Sequence, residues 1–331
     1  MVEEKIDFVV TWVDESDEKW LEKKKLYSSK YNQEINSEAR YRNWDFLKYW
    51  FRSVEMHAPW VNKVYFITEG HVPEWLNTDF EKLVVVKHSE YIDNKYLPTF
   101  NSNVIELNLN KIKGLSDNFV SFNDDMFINS DVSKDDFFNS GLPRDTGIFS
   151  PIVPMENSID ATILRNVQII NKYFNKNSIL KKNIFKFFNI RYGKHLLKNF
   201  CTLPWNNVLG FYDSHIPVSY NKETFENVWN KEHEELTSVM SHRFRTKNDL
   251  SHWLMRYWQI CEGKFAVRSV NFGQHYIIGP ENSALLKDIS EKKHKVICLN
   301  DSDLLTNFQE SKELILTEFR RKYGSKSRYE K

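Results

Sequence analysis

Between residues 6 and 130 the chain alternates between two hydrophobic periods, and that alternation constrains its fold more than any other feature. Residues 6–13 (IDFVVTWV) are β-branched and aromatic and read as a buried strand. Residues 17–28 (DEKWLEKKKLYS) read as a helix, acidic where it starts and basic where it ends, as the helix dipole favours. Residues 44–57 read as a second helix, stopped by Ala58-Pro59. Residues 61–68 (VNKVYFIT) and 83–87 (LVVVK) are strand-like, 102–112 helical, and 119–122 (FVSF) a short buried strand. Strands and helices alternating at these lengths predict an α/β fold with a mostly parallel, Rossmann-like sheet covered on both faces.

Ligands of open α/β sheets bind beyond the carboxyl ends of the strands. Asp14 follows the first predicted strand, Glu69 the second, His88 the third and Asn123-Asp124-Asp125 the fourth. Ionisable residues therefore gather at one rim, which is where a site is expected. The string FNDDM (122–126) is the most informative. Asp124 and Asp125 beside the Asn123 amide offer hard oxygen ligands for Mg²⁺ or Mn²⁺, an ion that would neutralise a diphosphate. A turn-capping Asp pair is the competing reading. Cys298-Leu-Asn-Asp301 repeats the Asn-Asp pairing after a predicted strand at 295–299, and Asp301 is a further candidate ligand or catalytic carboxylate. His215 precedes Ile216-Pro217 and suits a general base toward a hydroxyl. Arg243-Phe244-Arg245 and Arg40-Tyr41-Arg42 are candidate phosphate clamps, because guanidinium binds phosphate in a bidentate fork.

Composition narrows the classes. Forty-six Lys and Arg against 45 Asp and Glu leave a net charge of +1, which speaks against nucleic acid as a partner. None of the 10 glycines stand at a G-x-G spacing, so the dinucleotide and P-loop signatures are absent. Three scattered cysteines (Cys201, Cys261, Cys298) fit a reducing compartment better than a disulfide framework. Without a signal peptide or a long apolar run, the expected location is the cytoplasm, with a peripheral place at the inner face of a membrane left open.

The second half changes character. From 161 to 212 there is no acidic residue, while nine basic residues are interleaved with Phe174, Phe185, Phe187, Phe188 and Phe200. One reading is a Lys-rich helix pair with its Phe face in the core. The other is a surface that meets anionic lipid or an anionic glycan carrier. Residues 224–262 read as helical. The stretch 314–331 reads as an apolar cluster followed by a frayed basic tail, with a peripheral anchor as the alternative.

Taken in order, four blocks resemble the Stealth family of sugar-phosphate transferases. They are IDFVVTWVDE (6–15), the run from Arg40 through LPTFNSNVIE to FNDDMF (122–127), the segment from His215-Ile-Pro to RFRTKNDLSH (243–252), and CLND (298–301). Glu15 stands where glycine is common in such proteins, and Asn108 and Asn110 where histidines are. The resemblance implies a glycosyltransferase-A-like core, a divalent metal (Mg²⁺ or Mn²⁺), and transfer of a hexose-1-phosphate from a UDP-sugar with release of UMP. The acceptor would be a sugar hydroxyl of an oligosaccharide or lipid-linked glycan in a capsule or cell-surface polysaccharide. Carried over by position, the functional residues fall on Asp124 or Asp125, His215, Arg245 and Asp301, with Asp14 and Arg40 as donor contacts. The implied organisation is a catalytic domain over 1–301, with a basic helical insertion at about 161–212 and a helical basic tail over 302–331. A conventional metal-dependent glycosyltransferase releasing UDP and a non-catalytic glycan-binding protein remain the alternatives.

Overall fold

The computed structural model describes residues 4–28, 42–155, 159–302, 305 and 307–331. Its N-terminal half runs β1 (Ile6–Thr11), α1 (Glu18–Ser28), α2 (Leu47–His57), β2 (Val64–Thr68), β3 (Leu83–Lys87), α3 (Ser102–Glu106) and β4 (Asn118–Asn123). After β4 the chain turns at once into β5 (Met126–Ile128), then β6 (Phe138–Asn139) and β7 (Leu142–Asp145). Three helices follow, α4 (Asp160–Tyr173), α5 (Lys176–Phe187) and α6 (Leu196–Cys201), before β8 (Val218–Asn221). The remainder is α7 (Lys222–Lys231), α8 (His233–Met240), α9 (Trp253–Glu262), β9 (Ala266–Val267), β10 (Gly273–Ile277), α10 (Ser283–Glu291), β11 (Val296–Asn300) and α11 (Phe308–Lys322).

The main sheet has the order β3-β2-β1-β4-β8, with the first four strands parallel and β8 antiparallel at the edge. This is the α/β class with a mostly parallel sheet that the alternating periods predict. Alternation along β1 sends Ile6, Phe8 and Val10 into one core layer, with α2 and α11, and Val9 into the other, with α9. Asp7 is fully buried in this strand, yet its carboxylate is satisfied by Asn62 Nδ2 (2.7 Å), Lys63 N (3.0 Å) and Ser116 N (2.7 Å). A buried carboxylate needs such donors. A second sheet, β10-β11-β5, abuts the end of β4, and a small third one joins β6, β7 and β9.

Three segments differ from the sequence expectation. The helix expected over 102–112 ends at Glu106 and resumes only as a 3₁₀ turn, Leu109–Lys111. Asn108, buried, donates to the Val104 carbonyl (2.7 Å), the kind of side-chain bond that competes with helix continuation. The span 224–262 is not one helical stretch: 241–252 leaves the helix, pinned by the buried Asp249, which accepts from Thr246 Oγ1 (2.9 Å) and Asn101 Nδ2 (2.7 Å). The C-terminal stretch is not a frayed tail. Beyond α11, Tyr323 and Tyr329 are buried, Tyr329 packing on Phe51 (5.1 Å between ring centroids) and Phe80 (4.7 Å). Arg52 grips Glu330 through two bonds (2.8 and 2.6 Å), and Lys331 N donates to Trp75 O (2.9 Å).

Because Tyr329 closes the aromatic cluster under α2, Tyr329→Ala should cost about 3 kcal/mol of stability, the usual range for deleting a buried ring. Urea denaturation measures it, and an unchanged midpoint would mean that this segment is dispensable.

Candidate functional site

The site is assembled by strand pairing. β11 runs antiparallel to β5 with Cys298 opposite Met126, and Leu299 N donates to Asp125 O (2.9 Å). That register lays the Asn123-Asp124-Asp125 turn against the end of β11, where Asp301 follows. Asn123 ends β4 beside Thr11 of β1, so the residues after Thr11 lead into the same place.

Glu15 proves the most informative of these. Its carboxyl is pushed up to about 9, first by burial, then by Asp124, with Asp14 and Asp301 adding to the push and Lys24 opposing it. Its Oε2 is buried without a hydrogen-bond partner. Asp125 is raised to about 7 by burial and then by Asp124, and its Oδ1 is likewise unpartnered. Asp124 itself opens to solvent, yet the desolvating protein wall around it raises its carboxyl to about 6. Asp301 accepts from Arg42 Nη1 (3.2 Å) and Trp44 Nε1 (3.2 Å). Asp14 sits at the edge of the group: its carboxylate takes Ser16 N (2.9 Å) and Ser16 Oγ (2.6 Å), and its own N–H bonds His71 Nε2 (2.7 Å). Arg40 lies outside the described residues.

On the other side of Asp125 stand two imidazoles and a thiol. Donor atoms of His215, His275 and Cys298 lie within 4.8 Å of one another, and the Cys298 thiol is hydrogen-bonded to the Asp125 carboxylate. The His215 ring meets that of His275 at 4.9 Å and stacks on Trp253 at 6.4 Å. Burial, with His275 beside it, brings His215 down to about 4, so the ring is neutral at pH 7 and, left as it is, a weak base. Its backbone has φ of +49°, a conformation that non-glycine residues hold only where the surroundings impose it. Those surroundings come from α9: Arg256 binds Asp145 twice (2.8 Å each) and also pairs with Asp213, two residues before His215.

Residues 243–245 have a non-helical backbone. Phe244 stacks on Phe100 (5.1 Å) in a small cluster with Trp20, against which Val13 packs, so this loop rests beside the end of β1. Arg245 donates to Ser102 Oγ (2.6 Å) and Arg243 to Pro98 O (2.5 Å), with its guanidinium 4.9 Å from the Tyr27 ring. Neither is bonded to the carboxylates. Next to them, at the ends of β2 and β3, a cavity of about 410 Å³ is lined by Tyr27, Glu69, His88, Leu97, Pro98 and neighbouring residues. Sequence reading missed Glu15 and His275 as site residues. Glu15 had a visible signal, an acid directly after Asp14 at a strand end; His275 had none.

Comparison with known proteins bears on what this rim is for. Family models for "Stealth protein CR1, conserved region 1" and "Stealth protein CR2, conserved region 2" match residues 4–32 and 40–145. A capsular polysaccharide phosphotransferase, WcwK, of Streptococcus pneumoniae is 53% identical over 99% of this chain and 98% of its own length. The chain belongs to the Stealth family. A further relative, the exopolysaccharide phosphotransferase cps2G of Lactiplantibacillus plantarum, is 42% identical over 98% of this chain and 96% of its own. Among solved structures, the galactosyltransferase LgtC with donor and acceptor sugar analogs aligns with a TM-score of 0.40 at 10% identity, covering 94% of this chain and 95% of that one.

Glu15 and Asp125 bind protons more tightly folded than unfolded. In cation-free buffer their contribution to stability is therefore fullest below their ordinary values, 4.5 for Glu15 and 3.8 for Asp125, and is lost as pH rises through about 9 for Glu15 and about 7 for Asp125. Melting temperature from pH 5 to pH 9 in chelator should fall, and Glu15→Gln should flatten the upper part of that decline.

Proposed function

We propose that this Stealth-family chain is a polysaccharide phosphotransferase that moves a hexose-1-phosphate from a UDP-sugar to a sugar hydroxyl of an oligosaccharide or lipid-linked glycan, releasing UMP. The observation that carries this reading is the convergence of the Asp124-Asp125 turn, Asp301 and Glu15 beside a neutral His215. Several carboxylates crowded together, two with buried oxygens that bond nothing, fit a hard divalent cation. The donor set is all oxygen, which suits Mg²⁺ and Mn²⁺, whereas His215, His275 and Cys298 are softer ligands. Glu15, Asp124, Asp125 and Asp301 would hold that ion, whose charge would offset that of a donor diphosphate.

The chain's own residues account for the other parts of the reaction. The cavity at the ends of β2 and β3, walled by Tyr27 and Pro98, receives the nucleoside end of the donor. Arg243, which lies against Tyr27 and Pro98 of that cavity, and Arg245 beside it hold phosphate oxygens and stabilise charge developing at phosphorus. The acceptor hydroxyl attacks the phosphorus nearest the hexose. Its O–P bond forms as the bond from that phosphorus to the bridging diphosphate oxygen breaks, and UMP leaves with that oxygen. The hydroxyl proton passes to His215, whose basicity rises once an anionic phosphate stands beside it. The hexose C1–O bond stays intact, so its anomeric configuration is kept.

Incubating the protein with UDP-sugar, Mg²⁺ and an oligosaccharide acceptor should yield UMP and a phosphodiester signal by phosphorus NMR; UDP as the nucleotide product would refute phosphotransfer. His215→Gln should lower kcat by about 10²–10⁴-fold, the usual worth of a general base, with UDP-sugar affinity retained. Asp124→Asn should instead abolish the cation dependence of UDP-sugar binding, read by calorimetry with and without chelator.

A further inference from the structure

The basic, acid-free segment presents an outward face that no part of the described chain covers. Phe185 is 83% exposed, Ile190 90%, Leu197 65%, Phe200 51% and Trp205 52%, and Leu203 is exposed as well. Soluble proteins scatter such residues singly over the surface, and here they fall within about twenty positions of one another. The structure forces them outward. Asn199 is buried on the inner side of α6, accepting from Phe149 N (2.6 Å) and donating to Gly147 O (2.8 Å) and Phe187 O (2.6 Å). With Asn199 locked inward, Leu197, Phe200 and Cys201 recur at helical spacing on the opposite side, all exposed. The chain beyond α6 then runs back to the start of α5. Phe188 meets Phe200 at 4.8 Å at one end, and at the other Lys176 N and Asn177 Nδ2 bond Asn206 (3.0 and 2.7 Å).

The charges around this face are single-signed. Within 161–212, Arg165 and Lys172 pair with Glu235 and Glu232 (2.7 Å each), Lys176 is buried, and Lys186 caps the carbonyls of Gly263 and Phe265. Lys181, Lys182, Arg191, Lys194 and Lys198 have no carboxylate partner among the described residues, and the segment has no acid of its own. Aromatic and aliphatic tips ringed by lysine match the chemistry of an interface between acidic lipid headgroups and acyl chains. They do not match a second copy of the same face, which would set lysine against lysine.

We propose that the face formed by α5, residues 188–195, α6 and the loop over 202–206 docks this protein on an anionic lipid bilayer. The C-terminal basic stretch, folded back on α2, is not the anchor. The face also bears on the site already described: His195 and Lys198 pack on the Tyr212 ring (4.6 and 5.0 Å), and Tyr212 leads through Asp213 to His215. A glycan carried on a lipid would thus arrive beside His215. The docking itself does not depend on the chemistry proposed above.

Full-length protein should co-sediment with vesicles of phosphatidylglycerol and phosphatidylcholine, weakly or not at all with phosphatidylcholine alone, and less as salt rises. Cys201 is exposed while Cys261 and Cys298 are buried, so an environment-sensitive fluorophore on Cys201 reports contact directly. Its emission should shift to the blue on adding anionic vesicles. The Lys181→Glu/Lys182→Glu variant should weaken binding by about tenfold or more, from the surface potential felt by each charge. Phe185→Ser/Trp205→Ser should abolish the blue shift. Both variants change exposed residues and should melt at the wild-type temperature. Absent vesicle binding, binding unchanged in both variants, or a dimer in sedimentation velocity that Phe185→Ser dissolves would overturn the proposal.

Discussion

The antiparallel pairing of β5 with β11 is the join on which the site depends. Two acidic turns from opposite halves of the chain become neighbours only because Cys298 falls opposite Met126 and Leu299 N reaches Asp125 O. Burial first, and neighbouring carboxylates after it, hold the protons of Glu15 and Asp125 well above the usual carboxylate range. What tolerates the crowding is the apolar packing beneath it. Phe127 and Phe46 pack on Phe319 of α11, and Ile297 and Cys298 are fully buried in the same layer. The strain of the charged rim is borne by a hydrophobic layer that could not be opened without losing far more.

A second support stands under His215. Arg256 is buried with Asp145 and Asp213 on either side, and Tyr257 donates to Asp213 as well (2.5 Å). A buried ion pair contributes little net stability over a hydrophobic replacement, but removing one partner is costly. Such a group suits positioning better than cohesion, and here it holds a loop whose histidine keeps a backbone conformation it would not adopt alone.

Much of this was legible in the sequence where local signals dominate. The four parallel strands are runs of β-branched and aromatic residues, and β3 spans the very residues, Leu83–Lys87, that its composition marks out. The strand-end positions of Asp14, Asn123-Asp124-Asp125 and Asp301 followed from the same reading. What stayed hidden depends on distant contacts. Helical propensity continues past Met240, and it is contacts with a segment far upstream, Pro98 to Asn103 with Asn101 at its centre, that draw 242–249 into the loop carrying Arg243 and Arg245. The basic composition after Phe319 looks like a solvated tail, and nothing local reveals that Glu330 will find Arg52. In the basic segment the two readings divide residue by residue: Phe187 stacks on Phe149 in the core (4.8 Å), while Phe185 faces outward. Alternating Lys and Phe carry no sign of which ring turns inward.

The β5–β11 pairing also has a consequence for synthesis. About half the chain separates the two strands, and ribosomes add roughly 5–20 residues per second. For on the order of ten seconds, then, β5 has emerged with its hydrogen-bonding edge open and its aromatic neighbours uncovered. A nascent chain in that interval carries Asp124 and Asp125 with no Asp301 to meet them. Over that interval the architecture leaves a half-made polypeptide exposed to chaperones and to its own kind.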